Sequence, residues 1–137
     1  MVKKSKDYRR SDFKFFIDYK TRWKDMDCIG HVNNATFLTY LESARLELVQ
    51  QWGFENVPII MASIKIDYVQ QLKHPAILEI GQSVSRIGTT SFDLFTGIFQ
   101  KSNDSPITIS TTTLVCFDYN SQKPMKIPQQ ILDFAKD

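Results

Sequence analysis

One stretch of this chain, Ala35 to Trp52, places apolar residues every three or four positions, while most of its surroundings alternate with a period of two. Phe37, Leu41, Ala44, Leu48 and Trp52 form the stripe, and Leu38, Tyr40 and Val49 broaden it. The spacing predicts the one long helix, with Asn33 or Asn34 placed to cap its start and Gly53 to end it. Ahead of it, residues 13 to 23 alternate as a half-buried strand, with Phe15, Ile17, Tyr19, Thr21 and Trp23 on one side. Behind it, strands are predicted over Pro58 to Leu72, Ala76 to Ile87, Thr90 to Lys101 and Pro106 to Tyr119, mostly joined as antiparallel hairpins. A turn at Lys123-Pro124 precedes a short terminal helix opened by Pro128 and running through Gln129 to Ala135. One apolar helix and one sheet must cover each other, so the expected class is α+β, and the sheet edges are expected to be hidden by a second subunit.

The 137 residues, 42% hydrophobic and 12% aromatic, suit a single domain over residues 13 to 137. Residues 1 to 12 hold five basic and two acidic side chains, read as a solvated basic tail, and without them the chain is close to neutral. Clustered charge for nucleic acid is therefore missing from the folded part. There is no apolar run of about 20 residues and no secretory stretch at the start, so the expectation is a cytoplasmic protein without a membrane span. Cys28 and Cys116 lack CxxC partners and are expected as free thiols.

The strand-to-helix junction reads Arg22-Trp23-Lys24-Asp25-Met26-Asp27-Cys28-Ile29-Gly30-His31-Val32-Asn33-Asn34. It sets carboxylates and an imidazole beside the unpaired N–H groups of a helix start, an arrangement suited to acyl transfer at a carbonyl. Asp25 reads as a turn former or a partner for Arg22 or Lys24. His31 is either an orienting or substrate-binding group or a packing residue, and Gly30 fits a positive φ or a close approach by substrate. Cys28 lacks an orienting third group for a thiol nucleophile. Asp25, Asp27 and His31 lack metal-site spacing, so no metal and no cofactor are expected. Glu42 and Arg45, three apart, are placed to pair on the helix.

The string Asp25 to Asn34, followed by Phe37, Tyr40, Leu41, Glu42 and Arg45, resembles the signature of hotdog-fold acyl-CoA thioesterases of the 4-hydroxybenzoyl-CoA thioesterase type, and plant acyl-ACP thioesterases carry a similar segment. Gly88-Thr89-Thr90-Ser91-Phe92 resembles the family's turn into its third hotdog strand, so the likeness spans roughly residues 13 to 128. The resemblance implies a long helix wrapped by a curved antiparallel five-stranded sheet, a homodimer formed edge to edge, often paired again into a homotetramer, and active sites at the dimer interface. It implies that Asp27 is catalytic and that the amide near Asn34 holds the thioester oxygen. Two positions depart from the pattern: Ile29 stands where the plant enzymes have asparagine, leaving only His31 of their pair, and Gly88, Thr89 and Thr90 stand where some bacterial members carry basic residues for the coenzyme A phosphates.

The expected catalytic set is thus Asp27, His31 and Asn34. Asp27 either attacks the carbonyl or deprotonates a water that does. Substrate contacts are expected from Gly30, Asn33, Thr89 and Ser91, the acyl pocket from Phe37, Tyr40, Ile59, Ile60 and Met61, and phosphate contacts from Lys65, Lys73, Arg86 or Lys101. The expected substrate is an acyl-CoA or acyl-ACP thioester. The alternatives are a hotdog hydratase or dehydratase, for which His31 and His74 are the only histidines, or a non-catalytic acyl-binding module.

Overall fold

The computed structural model describes residues 3–136. The helical stretch is α1 (Thr36–Gln51), bounded as its sequence dictates. Asn33 Oδ1 accepts the N–H of Ala35 (2.8 Å), and the Asn33 carbonyl accepts that of Thr36 (2.9 Å). At the other end Gly53 takes φ +88°, the left-handed conformation that lets the chain leave the last turn. The buried face is Phe37, Tyr40, Leu41, Ala44, Leu48 and Val49. Leu38, assigned to that face by its sequence neighbours, is exposed, because one residue past Phe37 it points about 100° round the helix.

Strands β1 (Phe15–Lys20), β2 (Ile59–Tyr68), β3 (Ile77–Ile87), β4 (Ser91–Gln100) and β5 (Pro106–Asp118) form one antiparallel sheet in the order β1-β3-β4-β5-β2. Lys123-Pro124, expected as a turn, forms a two-residue strand β6 on β5, and α2 (Gln129–Lys136) follows Pro128. The sheet curls round α1. Near the helix start, Tyr40, Leu41 and Ala44 pack with Ile17, Leu78, Ile80 and Ile98. Near its end, Leu48 and Trp52 pack with Phe92, Leu94 and Leu114, and Ile131 of α2 closes that side. The buried Gln82 of β3 donates from Nε2 to the Ala44 carbonyl (2.9 Å), a polar link from sheet to helix. This is the hotdog arrangement, a long helix enclosed by a curved five-stranded antiparallel sheet with a short C-terminal helix.

Two expectations change. The first strand stops at Lys20 rather than running to residue 23, because the Asp25 carboxylate accepts the Arg22 N–H (2.9 Å) and folds Trp23–Asp25 into a 3₁₀ turn; Trp23 is 79% exposed instead of facing the core. The basic start is not a solvated tail. Its lysines stay exposed, but 3₁₀ turns at Ser5–Asp7 and Arg10–Asp12 lie on the outer sheet face. Arg10 pairs with Glu79 (2.6 Å), donates to the carbonyls of Gln100 and Asn103 (2.9 Å each) and covers the Phe99 ring. Tyr8 packs edge-on and Phe13 stacks against Phe95, both with ring centroids 4.9 Å apart. Gly97 makes this fit possible, since a Cβ there would lie 2.6 Å from the Phe13 ring.

β1 and β2 are the sheet edges, and β2 is exposed from Ile60 through Ser63. No helix among the described residues is long and apolar enough to cross a membrane.

Candidate active site

The junction between β1 and α1 folds into a small closed loop. Met26 and Val32 pair as an antiparallel bridge, and between them the Asp27 N–H donates to the His31 carbonyl (2.7 Å) and the Gly30 N–H to the Asp27 carbonyl (3.3 Å). Gly30 sits at φ +97°, a conformation that side chains with a Cβ rarely adopt, which is why glycine stands there. The Asp27 carboxylate lies over this turn, and its Oδ1 accepts the N–H groups of Ile29 (2.9 Å), Gly30 (3.0 Å) and His31 (3.2 Å). Oδ2 has no partner among the described residues. The His31 N–H does most to hold the Asp27 carboxyl below the usual carboxylate range; partial burial opposes it, and the Ile29 and Gly30 N–H groups add to it.

The loop is stitched in place on both sides. The Asn33 N–H donates to the Asp25 carbonyl (3.0 Å), and the Val32 N–H to the Leu72 carbonyl (2.7 Å) in the connection leaving β2. The Tyr68 hydroxyl donates to the Asn34 carbonyl (2.8 Å), and its ring meets Phe37 edge-on. Between these walls lies a cleft of about 560 Å³, lined by Asp27, His31, Asn33, Asn34 and Phe37 on one side and Tyr68 to Leu72 on the other, with Ile29 at the rim. The cleft thus holds an ionised carboxylate and the residues that open α1. The Asn34 N–H has no acceptor among the described residues.

Asp25 faces the other way. It is 3% exposed, accepts the Tyr40 hydroxyl (2.7 Å) and pairs with Arg22 (3.0 Å). Burial pushes its pKa up, but the bonds from Tyr40 and Arg22 outweigh that and hold it below its ordinary value. Tyr40 is shifted strongly upward, by burial first and by Asp25 second, so it stays a neutral donor. Asp25 is the turn former and Arg22 partner that its sequence position indicated.

Of the expected site residues, the fold brings Asp27, His31, Asn33, Asn34 and Phe37 into one cleft, with Gly30 shaping its loop. Others lie elsewhere. Tyr40 is fully buried and engaged by Asp25, so it belongs to the core and not to the acyl pocket. Ile60 and Met61 are on the exposed β2 edge, 39% and 46% accessible, and do not line the cleft within this chain. Ile59 is buried in the core cluster at the far end of α1. Arg86 is held by Asp93 (3.0 Å) and Ser91 (3.0 Å) at the β3–β4 turn, which also carries Thr89, away from the cleft. Glu42 and Arg45 do not come within ion-pair distance; Arg45 is half-buried, and burial lowers its pKa. His74 also lies outside the cleft, with Nδ1 2.8 Å from the Thr21 hydroxyl.

Both cysteines are free thiols: Cys28 is exposed, and burial pushes Cys116 up to about 11. No group of three or more His, Cys, Asp or Glu among the described residues is placed to hold a metal ion. The sequence predicts a strand running on to Leu72, whereas β2 ends at Tyr68 and the segment from there to Leu72 forms the second wall of the cleft. Only the end of alternation after Tyr68 marks it as a separate wall.

A family model for the thioesterase-like superfamily matches residues 21–134. The long-chain acyl-CoA thioesterase FadM of Escherichia coli is 25% identical over 118 residues, 82% of this chain and 89% of that protein. The uncharacterized protein YsmA of Bacillus subtilis is 27% identical over 89 residues, 62% of this chain and 60% of that protein. Among solved structures, the PA5185 protein of Pseudomonas aeruginosa superposes with a TM-score of 0.85 at 26% identity, covering 94% of both chains. With the family match spanning most of the sequence and the same curled sheet in a solved relative, the chain belongs to the thioesterase-like superfamily.

Proposed function

We propose that this protein hydrolyses an acyl thioester of coenzyme A, or of a phosphopantetheine-bearing carrier, to the free acid and the thiol, with Asp27 as the reacting carboxylate. The observation that carries this reading is the cleft itself: an ionised aspartate with one oxygen fixed by three N–H groups and the other free, beside the opening residues of α1. The FadM relative, named for acyl-CoA hydrolysis, supports the substrate class.

With the thioester carbonyl oxygen at the Asn34 amide, the positive end of α1 favours the charge that develops there. Two routes fit the free oxygen of Asp27. In one, Asp27 takes a proton from a water that adds to the carbonyl carbon; the tetrahedral oxyanion collapses, the C–S bond breaks, and the sulfur leaves as thiol after taking up that proton. In the other, Asp27 itself adds, expels the thiolate and forms a mixed anhydride that water then cleaves. His31 lines the same cleft and serves to orient substrate or the acid.

A hydratase reading would call on a second imidazole, and His74 sits outside the cleft against Thr21. The uncovered β2 edge, with Ile60 and Met61 exposed on it, supports a homodimer formed edge to edge there, with pairing into a tetramer as the larger assembly. In that assembly residues that lie off the cleft within one chain, such as Met61, reach the partner's site. The test is a panel of acyl-CoA and acyl-carrier thioesters followed by thiol detection and product analysis. Release of free acid and thiol is expected. Formation of an enoyl product, or binding without turnover, would contradict the assignment.

A further inference from the structure

Beside the cleft lies a second groove of about 520 Å³, and the two share Tyr68 and Val69 as a common wall. The floor is the outer sheet face, and the rim carries Lys3 and Lys4, which lead into the first 3₁₀ turn, Lys6 within it and Lys65 of β2, against one carboxylate, Asp67. Lys3 is paired with Asp12 (3.0 Å), and Lys65 approaches Asp67 only at 3.8 Å with its side chain 81% exposed. Lys4 and Lys6 make no ion pair among the described residues. The turn that presents them is not loose, because the Ser5 hydroxyl donates to Asp67 and Tyr8 packs on Phe95. The groove therefore carries an excess of positive charge, with Lys4 and Lys6 left without a carboxylate partner among the described residues.

We infer that this groove is the phosphate subsite for the carrier half of the thioester, with Lys4, Lys6 and Lys65 gripping the phosphate at the far end of a pantetheine arm whose sulfur lies at Asp27. The inference rests on the thioesterase reading of the neighbouring cleft. An arm with its sulfur at Asp27 crosses the shared wall at Tyr68 and Val69, and from Tyr68 to Lys65 is a further three residues of extended strand, about 10 Å. The β3–β4 turn is a poor alternative, since Gly88, Thr89 and Thr90 carry no charge and Arg86 is engaged by Asp93. Ammonium groups on flexible stems recognise phosphate as point charges, so the contact is salt-sensitive and tolerant of what lies beyond the phosphate.

The test is calorimetric titration of the full chain and of the Lys4→Ala/Lys6→Ala/Lys65→Ala variant with coenzyme A, 4′-phosphopantetheine and phosphate-free pantetheine. All three substituted lysines are exposed, so the fold is retained, which circular dichroism checks. The variant is expected to bind coenzyme A about tenfold more weakly at low salt, with the gap closing as salt rises, and to bind pantetheine as the parent does. An equal loss for 4′-phosphopantetheine supports the assignment to the phosphate that a carrier protein also presents; a loss confined to coenzyme A overturns it, since the lysines would then meet only the nucleotide phosphates. Unchanged affinity for both overturns the subsite. Hydrolysis by the parent protein, measured alongside, keeps the two readings apart: failed turnover with lysine-dependent binding rejects the Asp27 chemistry and retains the groove.

Discussion

Asp27 has two duties, and its two oxygens divide them. Oδ1 closes the loop by accepting three N–H groups, a common role for an aspartate before a helix, while Oδ2 has no partner among the described residues and the side chain lines the cleft. The same N–H groups depress its pKa, so Asp27 is ionised throughout the neutral range. Its contribution to stability is therefore present above the unfolded value near about 4 and lost as pH falls through the lower folded value. Activity that depends on this carboxylate should follow the same sign, with kcat/KM flat from about pH 7 down to about pH 5 and any acid limb lower still. An acid limb well above the ordinary carboxylate range would contradict Asp27 as the essential ionised group. The sequence string already exposed Asp27, Gly30 and His31 as neighbours. It could not reveal that Tyr40, six residues after Asn34, is turned inward to Asp25, because burial of a hydroxyl depends on where the sheet lies.

At the scale of elements, α1 was legible from its period, and four of the strands from alternation, since each presents one face to a common core. The start of the chain was not. Its charge pattern indicated solvent, whereas its anchors are Tyr8, Arg10 and Phe13, which matter only once the glycine gap at Gly97 exists to receive a ring. Beyond the charged residues, α1 contributes mostly apolar surface. Leu48 is fully buried between Trp52, Phe92 and Leu94, so Leu48→Ala should lower unfolding stability by about 2–5 kcal/mol in urea titrations. It lies on the half of α1 remote from Asp27, and the active fraction should keep the parent kcat; a loss below about 1 kcal/mol would contradict close packing of the two layers at this point.

For the whole molecule, the open edge at β2 is the feature a single chain leaves unfinished. Light scattering after gel filtration should give a dimer or tetramer at micromolar concentration, and Met61→Lys, which puts a charge in that edge, should shift the population toward monomer and lower activity with it. A monomeric, fully active parent protein would remove the interface from the account. Ile60 and Met61, expected to line the acyl pocket, lie on this exposed edge, so their part in a site is legible only together with whatever covers β2. The account turns on Asp27, and Asp27→Asn isolates its charge, because the amide oxygen still accepts the three N–H groups that shape the loop. With an acyl-CoA hydrolysed by the parent protein, that variant should retain the melting temperature within a few degrees and lose about 10²–10⁴ in kcat; a folded Asp27→Asn protein turning over at the parent rate would contradict the assignment.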